Sequence, residues 1–167
     1  MPLTTFLSMC STLAIVAGGI FAAVQLRQLG RQRARESALQ LVRSAQTSEF
    51  LMAINIVFDL PEGLSKKEIE KRLGEKITSV YLLFGTFESL GILVFRKEID
   101  IRLVEDFFSG VIILSGRKLK RYLLEMREQS GRQTYYEWFQ WLHELVDRRE
   151  SVTPAVPAFV AFRDRVA

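Results

Sequence analysis

A chain of 167 residues has room for one small core with a terminal segment beside it. Its 23 Lys and Arg exceed its 19 Asp and Glu by four, and Arg27, Arg31, Arg33 and Arg35 account for that excess, so the basic surplus is no argument for nucleic-acid binding. One histidine, His143, and one cysteine, Cys10, exclude a His/Cys zinc site and an intramolecular disulfide.

Residues 1–26 contain no charged side chain. About 20 apolar residues in a helix cross a hydrocarbon core of about 30 Å, so this run is predicted to span a membrane once. The four arginines follow it at once, with no acid before Glu36. Basic borders stay in the cytoplasm, which predicts the N-terminus outside and residues 27–167 inside. A cleaved signal peptide carries its basic residues ahead of the apolar run, the opposite flank. Arg27, Arg31, Arg33 and Arg35 are also placed to meet anionic lipid headgroups. Small residues recur at Ala14, Gly18 and Ala22, and at Gly19 and Ala23, a spacing that lets two membrane helices approach closely.

Residues 27–46 are rich in helix formers and are expected to continue outward as a basic stalk. Thr47 or Ser48 caps the next helix, which carries Phe50, Leu51, Ile54, Val57 and Phe58 and stops at Pro61 and Gly63. Ser65-Lys66-Lys67-Glu68 is a capping box for a short helix ending at Gly74. Residues 77–95 place Ile77, Val80, Tyr81, Phe84, Phe87, Leu90 and Gly91 at helical spacing. Asp100 is expected to cap a helix that closes at Ser109-Gly110, with residues 111–129 forming a separate one. Thr134-Tyr135-Tyr136-Glu137 reads as a second capping box. It opens the last strong helix, which turns Trp138, Phe139, Leu142 and Val146 inward.

No stretch alternates as a strand does. The expected fold is therefore all-α. One N-terminal transmembrane helix (1–26) continues through a stalk (27–46) into a compact cytoplasmic bundle (47–150), with about six soluble helices in all. An apolar tail (151–167) follows. Pro154 and Pro157 break its regularity, yet Val156, Phe159, Val160 and Phe162 are too apolar for a solvated end. It is expected to dock on the domain or on a partner.

The sequence holds no phosphate loop, dinucleotide fingerprint or nucleophile elbow, and no cofactor is expected. His143 lies beside an apolar stripe and reads as a packing residue rather than a base. Glu88 falls at the edge of an inward face, where a carboxylate needs a partner. Arg117 and Lys118 are the candidates. An interior ion pair fixing helix register is the expectation, and a general base the alternative. Arg117, Lys118, Lys120 and Arg121 form a basic run suited to lipid or phosphate. Arg121 has Glu125 one turn on, as in a solvated face. In the aromatic cluster of residues 135–141, Tyr136 and Trp141 are expected at the surface. With Phe159 and Phe162 they are the candidate partner contacts.

Three groups of residues carry a family resemblance. They are Leu41-Val42-Arg43-Ser44 with Ser48-Glu49-Phe50 and Phe58-Asp59-Leu60-Pro61; residues 87–94 (FESLGILV) with Ile99-Asp100-Ile101 and Asp106-Phe107-Phe108; and Tyr136-Glu137-Trp138-Phe139-Gln140-Trp141-Leu142. With the N-terminal span, this resembles the prokaryotic family called domain of unknown function 4760, over roughly residues 5–147. The resemblance implies a membrane-anchored helical domain in the plasma membrane of a prokaryote. It brings no activity and no catalytic residues.

The expected function is non-enzymatic: a membrane-tethered helical interaction module, serving as an accessory, scaffold or regulatory subunit. A homo-oligomer or a larger membrane complex is the expected context. Two alternatives stay open, an enzyme or effector using Glu88 with a basic partner, and an anionic-lipid or nucleic-acid sensor using Arg117 to Arg121.

Overall fold

The computed structural model describes residues 47–154 and 156–164, together with Gly18, Gly19, Phe21, Ala22, Val24, Gln25, Gln28, Glu36 and Arg43. The chain divides into two units, Met1–Leu41 and Val42–Ala167. In the first, every described position is helical and exposed, and a side chain built on Gly18 or Gly19 would meet nothing within 4 Å. Most of the expected membrane span lies outside the described residues, including Ala14 and Ala23. So do Arg27, Arg31, Arg33 and Arg35.

The second unit is all-helical among the described residues. Helix α1 (Ser48–Phe58) starts where the Thr47 hydroxyl accepts the Phe50 amide at 3.3 Å. Its buried face is Phe50, Ala53 and Val57. Helix α2 (Lys66–Leu73) opens with the expected capping box. Ser65 and Glu68 exchange backbone and side-chain hydrogen bonds, and Gly74, at φ 54°, closes the helix. A 3-10 turn (Gly74–Ile77) leads into α3 (Thr78–Phe95). Asp100 caps α4 (Ile101–Ser130), whose end is Gly131 in the left-handed region. Helix α5 (Glu137–Val152) returns along α4, and a single turn, α6 (Ala158–Ala161), follows.

The expected break at Ser109-Gly110 does not occur. Helix α4 runs through it for 30 residues, because its buried stripe of Val104, Phe108, Ile112, Ser115, Leu119 and Tyr122 stays in phase across the glycine. A helical glycine costs about 1 kcal/mol relative to alanine. Burying Phe108 and Ile112 contributes about 1.5–3 kcal/mol each, which outweighs it.

Helix α3 is the centre of the bundle and packs most extensively on α5 and α1. Among the described residues, the run Lys66–Phe95 is long and apolar enough to cross a membrane, with a mean hydropathy of 1.6 in its richest window. In the bundle that apolarity forms the core, where Val80, Leu83, Phe84, Phe87, Leu90, Gly91 and Val94 are buried. Phe87 joins four helices. It meets Phe50 of α1 and Phe108 of α4 edge-on at 6.1 and 6.2 Å, and stacks on Phe139 of α5 at 5.9 Å.

Candidate functional site

The most densely built polar site lies where α5 begins. The capping box expected there does not form. Tyr136, at φ 48° and ψ 43°, is left-handed and the turn has no local side-chain cap. The first amides of α5 instead reach across to α3. The Phe139 N–H donates to Glu88 Oε2 at 2.8 Å, and the Trp138 amide bonds the same carboxylate. This replaces the ion pair expected with Arg117 or Lys118. A carboxylate at a helix N-terminus satisfies orphan donors and complements the helix dipole. Burial raises the Glu88 pKa; the two amide bonds and nearby Arg127 act against that. The approach requires Gly91, where an added Cβ would lie 2.4 Å from the Trp138 carbonyl oxygen.

Arg127 holds the other side of the same turn. The residue is 7 % exposed, and its guanidinium donates from Nε to the Tyr135 carbonyl at 2.9 Å and from Nη2 to the Tyr136 carbonyl at 3.3 Å, and also bonds Gln140. No carboxylate forms an ion pair with it among the described residues. Tyr136, expected at the surface, is half-buried and stacks on Phe84 at 4.7 Å. Nearby, the Tyr81 hydroxyl meets that of Tyr122 at 3.1 Å, and Tyr122 donates to Glu70 at 3.2 Å. Burial first, and then Tyr81, raises the Tyr122 pKa.

A family described as a domain of unknown function, DUF4760, matches residues 12–146. The chain belongs to this family. No curated protein and no solved structure matches it.

The remaining candidates in this DUF4760 chain are distributed rather than gathered. Exposed Arg117 pairs with Asp147 of α5 at 3.0 Å, and Lys118 donates to the Leu60 carbonyl. Arg121 bonds Glu125 at 2.8 Å, as its spacing implies, and the Gly63 carbonyl at 3.0 Å. The basic run is thus divided between α5 and the loop after α1. Glu125 also accepts the Lys66 amide at 2.8 Å, so α2, like α5, begins on a carboxylate from another helix.

His143 is a packing residue by its surroundings. An added Cβ on Gly116 would sit 2.0 Å from its Cδ2, so the glycine makes the seat for the ring. Its Nε2 is sealed from water with no hydrogen-bond partner, and the ring bonds the Ile113 carbonyl. Burial lowers its pKa; Asp147 and Glu144 act against that. A pocket of about 90 Å³ beside it is lined by Lys120, Leu123, Leu124, Gln140 and Glu144 among others. Among the described residues no group of acidic, His and Cys side chains could hold a metal.

Trp141 is half-buried, 5.9 Å from Phe95 and 6.0 Å from Trp138. Phe159 and Phe162 are exposed. Sequence reasoning missed Arg127. Its only signal is position, since an arginine in the last turn of a helix faces the carbonyls of the following turn.

Proposed function

We propose that this protein is a membrane-tethered, non-catalytic helical interaction module, an accessory or scaffold subunit of a membrane complex. One observation carries the reading: 26 uncharged residues followed at once by four arginines. The domain's chemistry supports it. Glu88 is engaged by the amides of α5, Arg127 by carbonyls, and the His143 ring is packed on Gly116. The side chains best suited to acid–base work therefore hold helix ends and seams together. In this reading residues 1–26 cross the plasma membrane of a prokaryote with the N-terminus outside. The helical domain works in the cytoplasm.

The test is fractionation of the full chain from membranes. Resistance to alkaline carbonate, release by detergent, and migration as an oligomer or with a second membrane protein are the expected results. A chain washed off by carbonate, or a strictly monomeric detergent particle, overturns the reading.

A further inference from the structure

We propose that residues 151–162 form a second, peripheral membrane contact, laying their apolar side chains into the interface of an anionic phospholipid bilayer. These twelve residues contain no charged side chain. They also concentrate the exposed apolar surface of the domain. Val152 is 78 % exposed, Val156 60 %, Phe159 77 %, Val160 46 % and Phe162 56 %. Val152, Val156, Phe159 and Val160 are therefore left largely uncovered by the bundle. Phe159 and Val160 lie on the single turn α6, which starts after Pro157, with Val156 just ahead of it and Phe162 at its end.

The flanks identify the occupant. Arg148, Arg149 and Glu150 precede the run, and Arg163, Asp164 and Arg165 follow it. Arg149 is tied to Glu105, which leaves Arg148 balanced by Glu150 on the near flank and one arginine in excess on the far flank. An uncharged apolar run with arginines on both flanks and a net positive far flank suits a surface with hydrocarbon below and anionic headgroups above. Twelve residues are too few to span, so the segment lies in the interface. Phenylalanines there supply apolar area, and each nearby arginine adds electrostatic attraction to an anionic surface.

The proposal rests on the tethered reading only for the nearness of a bilayer. Its test uses the full chain with Cys10→Ser and Val160→Cys, labelled with an environment-sensitive fluorophore and reconstituted in vesicles with or without phosphatidylglycerol. The expected result is a blue shift and quenching by bromine-labelled lipid, stronger with the anionic lipid. Both should be lost on combining Phe159→Asp with Phe162→Asp, and a control label on exposed Gln133 should stay solvated. A water-exposed label at position 160 overturns the proposal. So does shielding that persists without lipid, which indicates a protein partner. Carbonate extraction separates the two ideas, since a chain that resists it while its tail label stays wet defeats only this one. Should the chain wash off, flotation of the detached protein with the same vesicles still reads the tail, and quenching supports the contact while its absence overturns it.

Discussion

The Glu88 carboxylate accepts the Phe139 amide at 2.8 Å, so α3 caps α5 across a sequence separation of 51 residues. Removing such a cap costs about 0.5–2 kcal/mol. Glu88→Ala is therefore expected to lower the unfolding free energy, measured by urea titration, by about that much. Glu88→Gln keeps an acceptor and leaves the fold intact. The sign of its pH dependence follows from the raised native pKa of Glu88. Stability from this group is fully present below the unfolded value of about 4.5 and declines as pH rises through the native value. The glutamine variant should thus gain on wild type between acid and neutral pH. A glutamine variant that loses ground over that range would show the carboxylate to be stabilised, not strained, by its site. Loss of a measurable activity with an unchanged melting curve would instead favour a catalytic Glu88.

Much of the bundle is legible in the sequence because its signals are local. Thr47, the Ser65/Glu68 box, Gly74 and Asp100 all act within three or four residues, and each marks a helix end in the structure. Inward positions Val80, Phe84, Phe87 and Leu90 follow from periodicity. What was not legible depends on pairs distant in sequence. Thr134 and Glu137 have capping-box spacing, but the left-handed Tyr136 and the remote Glu88 replace it. Ser109-Gly110 looks like a stop only until the stripe on either side is seen to remain in phase. Tyr136 looks exposed until Phe84 is found under its ring. A lone glutamate at the edge of a face announces a need for partners and cannot say that they are backbone amides.

The glycines divide by what surrounds them, and substitution should separate them. Gly85 is helical, exposed and open, with nothing within 4 Å of an added Cβ. Gly85→Ala is expected to stabilise by about 0.5–1 kcal/mol through helix propensity. Gly91→Ala places its Cβ 2.4 Å from the Trp138 carbonyl oxygen, which cannot rotate away. Overpacking of this kind costs about 1–3 kcal/mol, and it should also disturb the Glu88 cap. Gly116→Ala meets the His143 ring instead, so His143→Ala should relieve part of its cost. A double-mutant cycle by chemical denaturation gives that coupling. Strict additivity would mean that the ring does not sit on the glycine in solution.

His143 predicts an acid-sensitive fold. Burial lowers its native pKa, with Asp147, Glu144 and Arg117 as the charged groups acting on it. The unfolded chain then binds more protons than the native one below the ordinary histidine value of about 6.5. Stability from this residue is complete above that value and is lost as pH falls from it toward the lowered native value. Midpoints of urea unfolding at pH 7.5 and 5.5 should differ more in wild type than in His143→Gln. Equal slopes would place the protonation elsewhere.

The Ser115 hydroxyl is fully buried and has no hydrogen-bond partner. An unsatisfied buried polar group costs about 1–3 kcal/mol, while alanine leaves little void and favours the helix. Ser115→Ala is expected to raise the melting temperature or leave it unchanged. A clear drop, measured calorimetrically, would reveal a partner for the hydroxyl in solution.

Arg127 and Glu88 hold the start of α5 from opposite sides. The guanidinium takes the Tyr135 and Tyr136 carbonyls, and the carboxylate takes the Trp138 and Phe139 amides. Tyr136 stays left-handed between these supports, a conformation that costs an ordinary side chain about 1–2 kcal/mol. Charged hydrogen bonds are worth about 1.5–3 kcal/mol each, so Arg127→Met should cost at least about 2 kcal/mol. Arg127→Lys should recover little, because an ammonium cannot reproduce the planar fork that serves two carbonyls at once. The loss should also be local. Hydrogen exchange at Phe139 should accelerate in either variant before the amides of α3 are affected. Combining Glu88→Ala with Arg127→Met should cost less than the sum of the two, because once either support is gone the turn no longer needs the other. An additive pair with unchanged exchange at Phe139 would mean that Arg127 braces α4 and Glu88 caps α5 independently.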